Sequence, residues 1–347
     1  MRTKESQPAA CAQEPGESWI KAQPHALRME INLGYPCNNR CMFCTELPNR
    51  SADKTRQARE LLTTEYVMTA LAEQRRRGAE HVTFLGGEPT IRPDFLKLVK
   101  YARHDLGFRT VFLTSNGRML SRPQYAEALV KAGLTHLCLS LHGHTADLHD
   151  AITGSAGAFE QLLSGISELK KLNFPFRLTA VINRLNLPYL KEMALHQLAL
   201  EPLRIAWAYV RPAGGALERM DEIVPRYAEA KAPLHEAMRI FNERRAVFTL
   251  AGVPLCFMQG FEKYCDELYW TGDSLRREVE KPSERLLISA GHGKLKNNAC
   301  LGCSRVAVCD GVPVEYAKRR GFDEFKPLTG ENINDASVLT DSRMKEE

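Results

Sequence analysis

The sequence runs to 347 residues, 44% hydrophobic and 26% charged, with a formal net charge of +5. This is the composition of a soluble globular chain with room for one large α/β domain and a small appendix. It lacks the strongly basic balance of a dedicated nucleic-acid binder, and no apolar run reaches the roughly 18–20 residues of a membrane span.

The first 25 residues include Lys4, Glu5, Gln7, Pro8, Glu14, Pro15 and Gly16. They lack the apolar core of a signal peptide, so a disordered tail over 1–25 and a cytoplasmic location are expected. Ten cysteines are many for a reducing compartment, which disfavours structural disulfides. Most fall in two stretches, 37–44 and 256–309. Clustering of that kind points to metal or redox chemistry.

From residue 26 onward, short apolar runs alternate with helical stretches. The runs 28–33, 81–85, 109–114, 135–141, 176–182 and 203–210 predict strands. Their nearly continuous apolar character suits parallel strands buried on both faces. Helices are predicted over 60–77, 92–105, 121–132, 156–172, 187–199 and 226–244. Ser121 is the expected cap of the third, with Gln124 behind it, and Ser155 and Glu160 fit the opening of the fourth. Six strand-then-helix units predict an α/β fold, a partial (β/α)6 barrel over 26–225. Functional groups in such folds sit at the carboxyl ends of the strands. After 245 the pattern changes to a short strand-like segment (VFTLAGVPLCF), a polar stretch around 271–298 and three closely spaced cysteines. A second module is expected over 245–325 and a polar, fraying tail over 326–347.

Directly after the first strand comes Cys37-Asn38-Asn39-Arg40-Cys41-Met42-Phe43-Cys44. Three thiolates can hold three irons of a 4Fe–4S cube and leave the fourth iron open to a substrate. The competing reading is structural zinc, but zinc takes four ligands and no fourth is nearby. The second strand ends on Phe84-Leu85-Gly86-Gly87-Glu88-Pro89-Thr90. Glycines allow close approach of backbone to a ligand, and a carboxylate can pair with an ammonium.

Together the two motifs resemble the radical SAM superfamily. The resemblance covers roughly residues 28–215 and implies that the open iron binds S-adenosylmethionine (SAM). It implies that Gly86, Gly87, Glu88 and Pro89 meet the methionine amino group. Thr114-Ser115-Asn116-Gly117 is similar to the family's turn after the third strand, which adds Ser115 and Asn116 to the cofactor set. Ser140-Leu141-His142-Gly143 is similar to a segment in which the serine bonds the SAM ribose or carboxylate; His142 stands where aspartate is common. Val181 is expected against the adenine, and Arg211, with Tyr209 and Pro212, at the end of the sixth strand near the cofactor. His142, His144 and His149 are read as a polar loop at the mouth of the sheet rather than a metal site. Cys138 is read as a small buried apolar residue.

Downstream, Cys300-Leu301-Gly302-Cys303 and Cys309 follow Cys256. Four thiolates so placed could close a second cluster, or hold zinc. The spacing resembles the twitch and SPASM extensions of radical SAM enzymes, curtailed because Pro313 stands where a further cysteine would follow. One auxiliary cluster is therefore expected, with Cys256 preferred to Cys265 as fourth ligand because a strand end holds a ligand more stiffly.

The resemblance implies reductive cleavage of SAM to a 5′-deoxyadenosyl radical, hydrogen abstraction from a substrate, and net oxidation through the auxiliary cluster. An electron donor such as flavodoxin or ferredoxin would supply the first cluster. Arg177, Trp207, Tyr209 and Arg211 are the candidate substrate-side residues. The short stretch before Cys37 tilts the expectation toward a small-molecule substrate or a stand-alone peptide binder. The alternative is maturation of a ribosomally made peptide, and a more distant one is a non-catalytic zinc or nucleic-acid-binding protein.

Overall fold

The computed structural model describes residues 28–46, 62–269, 276–280, 283–287 and 293–344, with backbone alone at 276–280 and 283–287. The expected tail over 1–25 lies outside these residues, as do 271–275, 281–282 and 288–292 of the polar stretch 271–298.

All six predicted strands form, as β1 (Arg28–Asn32), β2 (His81–Leu85), β3 (Thr110–Ser115), β4 (His136–Ser140), β5 (Arg177–Ile182) and β6 (Arg204–Tyr209). Each pairs in parallel with its neighbour in sequence. A seventh parallel strand, β7 (Phe248–Ala251), joins β6. The sheet thus runs on into the segment expected to open the second module. At the other edge, β8 (Arg276–Glu280) pairs in parallel with β1, and β9 (Ser283–Leu287) turns back antiparallel along β8. Strand order is β7-β6-β5-β4-β3-β2-β1-β8-β9, so β1 and β7 do not meet and the barrel stays partial.

The helices between strands are α1 (Thr64–Arg76), α2 (Phe95–Lys100), α3 (Pro123–Lys131), α4 (Ala146–Thr153), α5 (Ala158–Lys171) and α6 (Leu190–Ala199). Two short turns, α7 (Gly215–Glu218) and α8 (Met220–Ile223), lead into α9 (Tyr227–Glu243), and α10 (Val314–Arg320) follows the second cysteine group. Ser121 does not cap α3. Its hydroxyl donates to the Arg118 carbonyl, while Arg122 is the N-cap and Pro123 opens the helix at N1, where a missing N–H loses nothing.

Burial on both faces of the sheet is not observed. Alternate residues are fully buried, such as Ile31, Phe84, Leu113, Leu139 and Leu178, and each such side chain contributes about 1.5–3 kcal/mol by burial against the helices. The residues between them are only half-buried. They line the hollow of the barrel, which must stay open for ligand. Cys138 is on this inner face, registered between Thr114 and Arg177 and half-buried, not in the core.

Met344, within the stretch 326–347 expected to fray, is docked. It is 1% exposed, its sulfur accepts the Phe248 N–H at 3.3 Å, and Arg204 donates to its carbonyl. Among the described residues, no helix is long and apolar enough to cross a membrane.

Candidate active site

The β1–β2 ladder continues beyond both strands and locks the two motifs together. The Leu33 N–H donates to the Leu85 carbonyl at 2.9 Å, that of Gly87 to Gly34 at 2.7 Å, and that of Glu88 to Pro36 at 2.8 Å. A Cβ on Gly87 would lie 2.1 Å from the Pro36 carbonyl oxygen, and one on Gly86 2.6 Å from that of Gly34. The space these glycines open is therefore filled by the chain leading into the cysteine loop. The two glycines thus allow a contact between two backbones, and both also lie on the wall of the cavity described below.

The cysteine loop is gripped from several sides. Arg40 and Met42 donate their N–H groups to the carbonyls of Thr153 and Ile152 at 2.7 and 3.1 Å, so the loop satisfies carbonyls that the end of α4 leaves open. The Gly215 N–H donates to the Cys44 carbonyl at 3.1 Å. Arg118 binds the Asn38 carbonyl, the Asn39 side-chain oxygen at 2.9 Å and Gln161 at 2.6 Å. Asn116 donates its side-chain amide to Asn38 at 2.7 Å and to the Cys37 sulfur at 3.9 Å, and the Asn39 N–H also reaches that sulfur at 3.4 Å. Donors to a ligating sulfur tune a cluster's potential. Sequence reasoning misses Arg118, since nothing local ties it to the cysteines.

Glu88 is 3% exposed. One carboxylate oxygen accepts the Ser115 hydroxyl at 2.8 Å and the Thr90 hydroxyl and N–H at 2.6 and 3.1 Å; the other accepts the Asn116 N–H at 2.7 Å. Burial pushes its carboxyl above the usual range, and these donors pull it back.

His142 lies in the connection between β4 and α4, at the mouth of the sheet as expected. It is buried, and its Nδ1 accepts the Val181 N–H at 3.1 Å. Its own backbone N–H donates to the Nδ1 of His149 at 3.1 Å. Burial, then repulsion from His149, lowers His142 to about 3, and burial lowers His149 to about 4. Both rings are neutral acceptors at neutral pH. A neutral ring that accepts at Nδ1 carries its proton on Nε2, so His142 is a fixed Nε2–H donor. His149 stands in α4, in place of the expected loop. Thr145 caps its start, accepting the Leu148 N–H, and Gly154 ends it at φ +60.

These groups surround one cavity of about 300 Å³ at the carboxyl ends of β1 to β5. Its wall holds Cys37, Cys41 and Cys44, then Gly86, Gly87 and Glu88, and then Ser115, Asn116, Ser140 and Val181, and also His142, Phe43 and Thr179. Two of the expected cofactor residues are not on it. Pro89 is buried in the turn after Glu88, and Arg211 is exposed. Trp207 and Tyr209 face the helices, the indole N–H donating to Gln197 at 2.8 Å and the phenol to the Pro225 carbonyl at 2.9 Å. Arg177 faces the hollow and packs over the Phe112 ring, 5.4 Å from its centroid.

The second cysteine group converges around a smaller void lined by Cys256, Cys300, Cys303 and Cys309. Asn297 caps the turn that carries Cys300, and the Leu328 N–H donates to the Cys303 sulfur at 3.3 Å. Burial, then the Cys309 and Cys303 thiols, pushes Cys256 up to about 12. Four thiols around one void suit a metal cluster. Cys265 is not on this void. It is buried and its thiol donates to Glu267 at 3.4 Å. Among the described residues, no three His, Cys, Asp or Glu side chains close around a single ion.

The radical SAM superfamily model matches residues 31–196. An AdoMet-dependent heme synthase of Methanosarcina barkeri is 32% identical over 204 residues, 58% of this chain and 55% of that protein. A PqqA peptide cyclase of Rhodopseudomonas palustris is 33% identical over 203 residues, 58% and 52% of the two chains. The chain thus spans about half the length of these curated relatives. Among solved structures, Streptococcus suis SuiB bound to S-adenosylmethionine superposes with a TM-score of 0.60 at 16% identity, over 89% of this chain and 77% of that one. SuiB bound to its precursor peptide SuiA superposes with a TM-score of 0.53 at 15% identity, over 92% and 65%. These likenesses show a shared fold that extends past the core into the C-terminal region. With its cysteine loop, its GGE turn and its partial barrel, the chain carries a radical SAM core: the superfamily model covers residues 31–196, just under half of its length.

Proposed function

We propose that this chain cleaves SAM at a 4Fe–4S cluster held by Cys37, Cys41 and Cys44 and directs the resulting radical chemistry at a ribosomally made peptide. The observation that carries this is the single cavity that gathers all three cysteines with the GGE turn, Ser140 and Val181. The cluster, when bound, supplies the electron that releases a 5′-deoxyadenosyl radical, which abstracts hydrogen from substrate. The chain's own residues bind and orient. The Glu88 carboxylate stands ready for the methionine ammonium, Asn116 and Asn39 steady the Cys37 sulfur, and Val181 offers an apolar face to the adenine. The His142 Nε2–H provides a hydrogen-bond donor that no working pH removes. Cys256, Cys300, Cys303 and Cys309 would hold one auxiliary cluster, and a flavodoxin or ferredoxin would supply electrons.

The peptide reading replaces the small-molecule expectation because relatives named as PqqA peptide cyclases match most of the core, and SuiB shares the fold. The likeness to a heme synthase keeps a small-molecule substrate as the second reading. The test is anaerobic reconstitution, with iron, sulfide and 5′-deoxyadenosine measured after SAM and dithionite. About eight irons per chain are expected for two cubes. Cys41→Ala should abolish deoxyadenosine, whereas Cys303→Ala should lower iron and leave some uncoupled cleavage. Co-expression with short peptides encoded beside the gene, read by mass spectrometry for lost hydrogen, separates the substrates. Zinc without iron and no deoxyadenosine would sink the proposal.

A further inference from the structure

The second cysteine group holds one buried donor with nothing to donate to. Arg305 lies between Cys303 and Cys309 and lines the void among the four cysteines. Its Nη1 is occupied by the Ser304 hydroxyl at 3.1 Å and the Glu331 carbonyl at 2.9 Å, which fixes the guanidinium. Its Nε–H is buried and, among the described residues, has no acceptor. An orphaned buried donor costs roughly 1–3 kcal/mol, and folded proteins keep few of them. A guanidinium is charged at any working pH, and thiols are weak acceptors. Cluster sulfides and thiolates are strong ones. A second cation lines the same void: Lys296, held by the Val306 carbonyl at 2.7 Å.

We propose that Arg305 donates its Nε–H to a sulfur of the auxiliary cluster and, with Lys296, raises that cluster's reduction potential so that it receives an electron from the substrate radical. The inference rests on the reading above that this site holds iron and sulfide. Reduction adds one negative charge to a cluster already carrying four thiolates. A hydrogen bond to sulfur and two nearby cations stabilise the more negative state, so the potential rises. The electron count follows. One electron enters at the first cluster to cleave SAM, and one hydrogen atom passes from substrate to the deoxyadenosyl group. The substrate radical then gives one electron to the auxiliary cluster and one proton to solvent. The pair of cations sets the direction of that last transfer.

The test uses the full chain carrying Cys41→Ala, so that only the auxiliary cluster is observed by EPR. In that background Arg305→Gln, Arg305→Lys and Lys296→Gln are compared for iron content and midpoint potential. With iron unchanged, Arg305→Gln should lower the reduced-to-oxidised ratio at a fixed poise about tenfold, which is about 59 mV for one electron. Arg305→Lys keeps the charge without the Nε–H and should fall between. Lys296→Gln leaves Arg305 in place and should give a smaller shift of the same sign, which serves if the arginine variants fold poorly. Full iron with equal potentials in all variants overturns this inference alone. Zinc in place of iron overturns it together with the auxiliary-cluster reading.

Discussion

The carboxylate of Glu88 accepts the backbone N–H of Asn116 at 2.7 Å, which binds the end of β2 directly to the end of β3. The other oxygen of Glu88 is shared by Ser115 and Thr90. A glutamine has one acceptor oxygen, so Glu88→Gln must turn an amide N–H₂ toward one of these donors. The cost of leaving a buried donor unmet is about 1–3 kcal/mol. Urea unfolding should show that loss in the apoprotein, and calorimetry should show weaker SAM binding in the reconstituted protein. An unchanged midpoint would mean that water, not Glu88, serves the Asn116 N–H.

The histidine pair gives the fold an acid-sensitive joint. His149 accepts the His142 N–H, and protonation of its Nδ1 would turn that acceptor into a donor. Burial holds His149 at about 4, below the ordinary value near 6.5. Between those values the folded ring binds fewer protons than the unfolded one, so stability is lost as pH falls through the window. The expected contribution of His149 is roughly 3 kcal/mol across it. His149→Gln keeps an acceptor and removes the titration. Urea midpoints between pH 7.5 and 4 should fall less steeply in the variant than in the parent; equal slopes would assign the acid sensitivity to other groups.

The strands are legible in the sequence because each is a short apolar run, and parallel pairing then brings their carboxyl ends together. That is why the GGE turn, Ser115, Ser140 and Val181 can be grouped from their positions along the chain alone. Orientation is what the sequence hides. Trp207 and Tyr209 stand two apart on one strand, hence on one face, and that face packs on helices; their spacing alone does not say which face it is. Helix α4 carries readable signals in Thr145 and Gly154, yet its polar residues suggest a loop. Arg118 and the β6–β7 pairing depend on contacts between segments distant in sequence, which no local pattern records.

Gly87 and Gly107 offer a controlled comparison. A Cβ at Gly87 would meet two backbone oxygens, of Pro36 at 2.1 Å and Tyr35 at 2.3 Å, and neither can swing away as a side chain could. At Gly107 a Cβ meets nothing within 4 Å, and only φ +70 opposes it. Gly107→Ala should therefore cost roughly 1 kcal/mol. Gly87→Ala should cost roughly 3 kcal/mol or more, because the GGE turn must separate from the cysteine lead-in. The variant should also take up less iron at the first site, measured on Cys303→Ala chains to reduce the auxiliary contribution. Similar melting temperatures for the two alanine variants would show that the turn can shift at little cost.

Cys256 and Cys265 stand in different surroundings. Cys256 shares the void with Cys300, Cys303 and Cys309, whereas the Cys265 thiol donates to Glu267, which in turn pairs with Lys294 at 3.0 Å. Burial holds the Cys265 thiol well above its ordinary range, with Glu267 adding to the effect, but burial raises Cys256 too, so it is the shared void that separates the two. Cys265→Ala should keep the full iron content. It should lower stability by about 1–2 kcal/mol, since a buried thiol and its weak hydrogen bond are removed. Cys256→Ala should lose up to about four irons per chain, or leave a labile cluster with an open iron. Iron analysis and EPR of the two variants in the Cys41→Ala background check this directly. If Cys265→Ala, and not Cys256→Ala, loses the iron, then the thiol–Glu267 bond belongs only to the metal-free chain and Cys265 swings in as the fourth ligand.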